Sequence, residues 1–521
     1  MAAAPLPAPD GPLVVGVHSA TRATTVLLVD APTGRVVARG RSGHALRERD
    51  GGTECDPEEW WRALTDALRH CEPWVRQAAA VSVAGPRHTV AVLDADGRPV
   101  RPALLGDRAR AAARRDRLIE ELGGPRAWAE RTGSVPSPAF PVATWAWLAE
   151  RAPSAVRAAA AVRLPHDHLT ERLTGRGVTE RGTASATGWW NAGTGAYDEE
   201  VLRRVGLPAG LLPPLVRRGE AVGTVRTLPG QPLPEGALVA AGTGDAMAAA
   251  LGFGLRPGEP VVHLGGSGTV FAVSTRRPAD ATGAVAGLAD ARDAWLPLAR
   301  TLNCGRAVER VAALLGRDRE AVEPAGPVVV LPYLEGESIP DLPFASGLLC
   351  GLRHSTGAGQ LLQAAYEGAV FSLLTAVSPV CGGPVAPDVP LLLAGAGARS
   401  AAWRETVRRL SGRAVRVPRA REPVALGAAA RAAGLLLGED PAAVARRWGG
   451  ADGPWYDPVP RDEEALERIA AVLGGAGALL RPGGAARRTG SERAVHDVQS
   501  DVPVPGVREG PGHGPDHLEA E

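Results

Sequence analysis

The chain has 521 residues and a net charge of +1, because 58 basic side chains are balanced by 57 acidic ones. This length predicts two or more domains, and the interspersed charge disfavours nucleic acid or a membrane surface as a partner. Arginine supplies every basic side chain other than histidine, so no lysine can bind a phosphate or form a Schiff base.

The five cysteines are widely scattered and never form a CxxC pair. This pattern favours reduced thiols and a cytoplasmic location over disulfides or a zinc site. Residues 1–11 lack the features of a signal peptide, and no run of about 18 apolar residues indicates a transmembrane helix. We expect residues 1–11 to be a disordered leader and residues 483–521, rich in Gly, Pro and charged residues, to be a disordered tail.

Strand and helix signals alternate through the first half. Two β-branched runs in PLVVGVHSATRATTVLLVD predict a hairpin over residues 13–37, whose polar turn can bind a phosphate through backbone N–H groups. A helix is predicted from Pro57 with Asp56 as its N-cap, and a buried strand should end near Gly85. Helices are also predicted over residues 108–122 and 137–152.

The stretch from Ala237 predicts a strand, a Gly-Thr-Gly turn and a small-residue helix. At Pro260 the pattern restarts, because PVVHLGGSGTVFAVST again predicts a strand, a Gly/Ser-rich turn and a strand. Helices over residues 307–315 and 359–374, the strand in VPLLLAGAGARS and the helix ALGAAARAAGLLL complete a second α/β unit. The repeated form of the two hairpins is weak evidence of an internal duplication.

Four Gly-rich turns follow strand-like runs: HSATRATT, GTGDAM, HLGGSGT and AGAGARS. One such turn would indicate only steric relief, but four predict a cleft in which loops from both halves meet a polyphosphate. Asp245 is the strongest candidate for catalysis, because a carboxylate at the start of a helix can accept the proton of an attacking hydroxyl. The alternative for Asp245 is a plain helix N-cap. His88 is a candidate for a polyol contact or for a simple packing role.

Several motifs together resemble the FGGY carbohydrate kinases. They are GTGDAMAAALG, HLGGSGTV, LPYLEGE, LLLAGAGARSAAWRETVRRLSG and ALGAAARAAG, with DPEEWW and LPHDHLTERLTG, and they run in order over residues 14–472. The resemblance implies an α/β fold of two ribonuclease H-like domains of the actin/hexokinase type. The first domain, residues 12–255, would bind sugar and carry the catalytic base, and the second, residues 256–482, would bind the nucleotide.

The implied reaction is transfer of the γ-phosphoryl group of ATP, with Mg²⁺, to a ketopentose, with D-xylulose as the expected acceptor. Asp245 matches the general base, and His18 lies in the catalytic first turn. The implied sugar contacts are Arg87, His88, Asp107 and Glu337. The implied nucleotide contacts are Thr21, Gly265, Gly266, Ser267, Gly268, Thr269, Gly395, Gly397, Ala398 and Arg399. No metal-ligating side chain is predicted, and a homodimer is compatible with the resemblance.

The chain departs from the family pattern mainly at ligand-facing positions. Where the first turn of the family usually has Asp and Lys, this chain has His18 and Thr25, so an oxygen anchor for Mg²⁺ is missing and metal binding should weaken. One alternative is a protonated His18 that contacts phosphate in place of the lysine. Three hypotheses follow: a ketopentose kinase, a kinase for another sugar or polyol, and a catalytically impaired homologue that acts as a sugar- or nucleotide-binding or regulatory protein.

Overall fold

The computed structural model describes residues 11–49, 52–105 and 108–480. The predicted leader up to residue 10, the predicted tail and Asp107 therefore lie outside the described residues. Within those ranges two seven-stranded sheets organise the chain, one built from residues before Asp245 and the other from residues after it.

The first half contains twelve strands and eight helices within the described ranges. The strands are β1 (Leu13–Ser19), β2 (Ala23–Asp30), β3 (Val36–Gly43), β4 (Leu46–Arg49), β5 (Gly52–Cys55), β6 (Ala78–Gly85), β7 (Ala91–Leu93), β8 (Ala103–Leu104), β9 (Ala161–Arg163), β10 (Ala221–Thr224), β11 (Leu238–Ala240) and β12 (Thr243–Gly244). The helices are α1 (Pro57–Arg69), α2 (Arg108–Glu121), α3 (Pro125–Thr132), α4 (Pro141–Arg151), α5 (Pro153–Arg157), α6 (Pro165–Thr174), α7 (Arg181–Ser185) and α8 (Glu199–Val205).

The first sheet has the order β10-β11-β6-β1-β2-β3, with β12 beside the end of β6. The predicted first hairpin is confirmed, since β1 pairs antiparallel with β2, and β1 also pairs in parallel with β6. Both faces of β1 and β2 are covered, which explains their nearly continuous apolar sequence. Helix α1 begins as predicted, with the side chain of Asp56 accepting a hydrogen bond from the backbone N–H of Glu58.

The second half contains the following elements. The helices are α9 (Asp245–Gly252), α10 (Gly305–Leu314), α11 (Ala358–Thr375), α12 (Val377–Cys381), α13 (Ala401–Ser411), α14 (Pro423–Leu437), α15 (Pro441–Arg447), α16 (Glu463–Gly475) and α17 (Gly477–Leu480). The strands are β13 (Val261–Leu264), β14 (Gly268–Phe271), β15 (Val285–Ala289), β16 (Trp295–Thr301), β17 (Val329–Leu331), β18 (Leu348–Cys350), β19 (Leu391–Ala394), β20 (Val415–Arg416) and β21 (Trp455–Tyr456).

The second sheet has the order β15-β16-β14-β13-β19-β20-β21, and the predicted second hairpin is its antiparallel β13–β14 pair. Residues 358–381 are long and apolar enough to cross a membrane, but 67% of the stretch is buried. Side chains along it, among them Leu362, Val370 and Val380, belong to the main apolar core of this half. The stretch is therefore accounted for as a core helix of the second sheet.

Helix α14 follows the second sheet in the chain but packs on the first one. Ala425 and Ala429 share an apolar cluster with Val14 and Ala80. Small residues permit this contact, because a Cβ added to Gly16 would lie 2.0 Å from the carbonyl oxygen of Ala425. The small-residue composition of α14 thus serves close packing between the two halves.

The predicted helix over residues 137–152 is shorter than expected, because α4 begins at Pro141. Proline suits the first position of a helix and disfavours helical backbone in the residue before it. Phe140 is accordingly extended, and Pro141 sets the helix start.

Candidate active site

A cavity of about 670 Å³ lies where turns from the two halves meet. Four segments that the sequence singled out line it: the turn after β1, the residues after β6, the start of α9 and the β13–β14 turn. Their predicted site residues are His18, Thr21, Arg87, His88, Asp245, Gly265, Gly266, Ser267 and Thr269. Residues that were predicted from distant parts of the chain therefore line the same cavity.

Asp245 projects from the first turn of α9 into this cavity. The N-cap of α9 is Gly244 and Asp245 is the first helical residue, so the alternative interpretation of Asp245 as a plain cap is wrong. Its Oδ1 accepts hydrogen bonds from Arg87 Nη1 at 2.8 Å and from the backbone N–H of Ala246 at 2.7 Å. The carboxylate is still 39% exposed, so a bound hydroxyl can approach it.

The backbone before Asp245 is held by a buried polar network. Thr243 and Gly244 form β12, which pairs in parallel with Ala84 and Gly85 just before Arg87. Thr243 Oγ1 donates to Glu180 Oε1 at 3.0 Å. This register and this hydrogen bond set the position of Asp245 relative to Arg87.

Glu180 connects that network to α7. Its carboxylate accepts from the backbone N–H groups of Gly182 and Thr183 at 2.7 and 2.6 Å, and from Thr183 Oγ1 at 2.7 Å. Because the Thr183 hydroxyl donates to Glu180, its oxygen accepts from His166 Nε2 at 3.1 Å. Burial lowers the pKa of His166 to about 3, so this ring is neutral and carries its proton on Nε2.

His18 lines the cavity as a neutral imidazole. Its place is fixed by the strand register, since it lies opposite Thr25 of β2 and Ala84 of β6. Burial lowers its pKa to about 4, although the nearby charge of Asp245 acts in the opposite direction. The alternative of a protonated His18 that contacts phosphate in place of the missing lysine stays a prediction, because the negative charge of a neighbouring phosphate would raise this pKa. Burial likewise lowers the pKa of His263, which lines the same cavity.

The described residues that line the cavity do not form a protein-held Mg²⁺ site. Asp245 is the only carboxylate among the described residues that line it, and one of its oxygens is bonded to Arg87. Across the described parts of the chain, no group of three or more His, Cys, Asp and Glu side chains is placed to hold a metal ion. Mg²⁺ prefers oxygen ligands, which a neutral imidazole does not supply.

Glu337 does not support the prediction of a sugar contact. It is 1% exposed, and its carboxylate accepts from the backbone N–H groups of Leu302, Asn303 and Ser338 at 2.7, 3.1 and 2.6 Å. These hydrogen bonds use the carboxylate to hold the loop that precedes α10. Glu337 is absent from the described lining of the cavity.

The Gly395 turn lies beside the cavity and not in its described lining. Gly395 has φ = +86°, and an added Cβ would lie 2.7 Å from the carbonyl oxygen of Leu264, directly before Gly265. This contact places the turn against the base of the predicted phosphate loop. The nucleotide contacts of Gly395, Gly397, Ala398 and Arg399 stay a prediction, as does that of Gly268, and Asp107 lies outside the described residues.

Sequence reasoning missed Arg300, Arg306 and His263 in the lining, and Glu180 behind it. Arg306 carried a signal, because a basic residue at the start of a helix opposes the helix dipole and suggests an anionic neighbour. Nothing in the sequence indicated the role of Glu180, since its partner Thr243 is distant in the chain.

The fold and the site define a class of protein. Two α/β halves enclose a cavity in which a carboxylate at a helix start faces two hairpin turns rich in Gly, Ser and Thr, as expected for a two-domain kinase of small molecules. The chain belongs to the FGGY family of carbohydrate kinases: the N-terminal domain of the family matches residues 13–252 and its C-terminal domain matches residues 262–435.

Relatives match along nearly the whole chain. Xylulose kinase of Streptomyces rubiginosus is 62% identical over 476 residues, covering 91% of this chain and 99% of the relative. Xylulose kinase of Streptomyces coelicolor is 62% identical over 480 residues, covering 92% and 100%. The crystal structure of xylulose kinase from Bifidobacterium adolescentis superposes with a TM-score of 0.76 at 29% identity, covering 89% of this chain and 100% of that one.

Proposed function

We propose that this FGGY kinase transfers the γ-phosphoryl group of ATP to D-xylulose in the cytoplasm, giving D-xylulose 5-phosphate. The observation that carries the proposal is the position of Asp245, which lines one cavity together with Gly265, Gly266, Ser267 and Thr269. The choice of sugar rests on xylulose kinases that are 62% identical over nearly their whole length. Neither the site nor these relatives favours the hypothesis of an impaired homologue.

In this proposal Asp245 accepts the proton of the attacking hydroxyl as its oxygen bonds to the γ-phosphorus, while the bond from that phosphorus to the β,γ-bridging oxygen breaks and ADP leaves. Arg87 orients the carboxylate through its 2.8 Å hydrogen bond and, with His88, holds the sugar. Backbone N–H groups of the β13–β14 turn bind the polyphosphate. Members of the family generally use ATP with Mg²⁺, and here the ion would enter with the nucleotide, since the described lining supplies few oxygen ligands for it.

The test is an ADP-release assay with D-xylulose, other ketoses and glycerol, run on the wild-type chain and on Asp245→Asn. Removing a general base should lower kcat by about 10²- to 10⁴-fold. Asp96→Asn is the control, because Asp96 has a side chain that is 69% exposed, pairs with Arg98 and lies outside the cavity lining. Full turnover by Asp245→Asn would reject the assigned base, and a higher kcat/KM for another acceptor would reject D-xylulose as the substrate.

A further inference from the structure

Arg306 is a charged side chain of the cavity whose guanidinium has no partner in the part of the chain that the structure describes. It is the second residue of α10, it lines the cavity, and its side chain is exposed there. Among the described residues, none accepts a hydrogen bond from its guanidinium or forms an ion pair with it. Arg87, by contrast, is paired with Asp245.

The backbone places Arg306 directly on the predicted phosphate turn. The N–H groups of Gly305 and Arg306 donate to the carbonyl oxygens of Gly265 and Gly266 at 2.9 and 3.1 Å. A Cβ added to Gly266 would lie 3.2 Å from Cγ and 3.3 Å from Nε of Arg306. The arginine stem therefore lies against Gly266, where a larger side chain would displace it slightly.

Hydrogen bonds in the loop that precedes α10 also fix the position of Arg306. Glu337 fixes the N–H groups of Leu302 and Asn303, and Asn303 Nδ2 donates to the carbonyl oxygen of Gly336 at 2.7 Å. This loop leads directly into the first turn of α10, so the start of the helix is pre-organised. Pre-organisation lowers the entropy lost when a ligand binds.

The charge at this helix start favours an anion. A cation is disfavoured by the dipole at the N-terminus of a helix, and the first turn of α10 contains no acidic residue to offset it. The described lining carries three guanidinium groups, Arg87, Arg300 and Arg306, against the single carboxylate of Asp245. Burial lowers the pKa values of His18 and His263, which disfavours a positive charge on either ring.

We propose that Arg306 binds the phosphates of the nucleotide beyond the α-phosphate, and that its guanidinium supplies positive charge that a protein-held metal ion would otherwise supply. The proposal rests on the proposed function only in taking the nucleotide to be the ligand of this cavity. Guanidinium suits the role, because its planar donors match phosphate oxygens in pairs.

The test is calorimetric titration of the full chain with adenosine, AMP, ADP and a non-hydrolysable ATP analogue, each with Mg²⁺ and with EDTA. Arg306→Gln should weaken binding of ADP and of the analogue by about 10- to 100-fold, the range expected for a lost hydrogen bond to a charged group. Adenosine should bind as tightly as it does to the wild type. The wild type should also keep measurable ADP binding in EDTA.

Arg310→Gln is the matched control, because Arg310 lies one turn further along α10, is exposed and is absent from the described lining. It should bind every ligand as the wild type does. Equal ADP affinity in Arg306→Gln and wild type would overturn the proposal, and so would a parallel loss of adenosine binding, which would indicate a distorted turn. Wild-type chain that binds ADP but releases none with any sugar would reject the kinase function and leave the role of Arg306 standing.

Discussion

His18 shows how one residue changes the electrostatics of the cleft. The family usually has a carboxylate at this position, which beside Asp245 would place two negative charges in one cavity. Like charges at close range disfavour ionisation and need a cation between them. The neutral imidazole removes that need, so the described lining keeps a surplus of guanidinium groups over carboxylates.

We therefore expect His18→Asp to make the Tm and the activity of the chain depend on Mg²⁺. Without metal the second carboxylate should lower Tm by several degrees through repulsion of Asp245. Added Mg²⁺ should restore Tm, because a ligand that binds only the folded state stabilises it, and half-maximal activity should require several-fold less Mg²⁺. His18→Asn is the control that changes the ring without adding charge. An unchanged Mg²⁺ response in His18→Asp would contradict this account.

Whether a site residue can be predicted from the sequence depends on how far along the chain its contacts lie. Asp245, Arg87 and four residues of the Gly265–Thr269 turn line one cavity, and the sequence singled them out because each segment follows a strand at a break in the apolar pattern; their roles stay predictions. Sequence reasoning failed for Glu337, whose motif suggested a ligand but whose carboxylate is used up by backbone N–H groups of a distant loop. It also missed Glu180, whose role depends on a neighbour that only tertiary structure supplies, and Arg306, whose place at a helix start was an available signal.

At the scale of elements, α9 and α14 of the second half pack against each other at very close range. A Cβ added to Gly427 would lie 1.8 Å from the carbonyl oxygen of Ala248, and one added to Gly252 would lie 2.0 Å from that of Pro423. The two helices approach each other at backbone distance, which only glycine permits at these positions. The sequence predicted α14 as a small-residue helix but gave no indication that it packs on the sheet of the other half.

Gly427→Ala should destabilise the chain, because the methyl group forces the two helices apart. Overpacking of this kind costs about 1–3 kcal/mol in the free energy of unfolding, measured as a lower urea midpoint. Gly474→Ala is the control, since Gly474 lies in α16 with nothing within 4 Å of an added Cβ. That change should be neutral or stabilise by up to about 1 kcal/mol. Equal stability of the two variants would show that the crossing can relax at little cost.

The molecule as a whole carries buried titratable groups whose protonation differs between the folded and unfolded states. Burial lowers the pKa of His18 to about 4 and the pKa values of His166 and His168 to about 3. Burial also raises the pKa of Asp167 to about 8, so this carboxyl is protonated in the folded chain at neutral pH. The histidines and the aspartate act on stability in opposite directions as the pH changes.

Between about pH 4 and 6.5 the three histidines are protonated in the unfolded chain and neutral in the folded chain. Their contribution to stability is therefore complete above pH 6.5 and falls as the pH is lowered. Asp167 has the opposite effect. Its contribution to folding stability is complete below the pKa that its carboxyl has in the unfolded chain, and is lost as the pH rises through about 8. For these four groups the net difference is about two protons, so they alone contribute a loss of up to roughly 2.7 kcal/mol per pH unit below 6.5. Urea midpoints at pH 7, 6 and 5 should therefore fall steeply.

His168 isolates one of these protons, because its buried ring lies edge-on to Trp60 with centroids 6.2 Å apart, away from the described lining of the cavity. His168→Asn should lower overall stability but reduce the slope with pH by about one proton, or roughly 1.4 kcal/mol per unit. His70→Asn is the matched control, since His70 is exposed at the end of α1 and should leave the slope unchanged. Removing a group that stays neutral only in the folded state must change the number of protons taken up on unfolding. If His168→Asn kept the wild-type dependence of stability on pH, the acid sensitivity would therefore come from other groups.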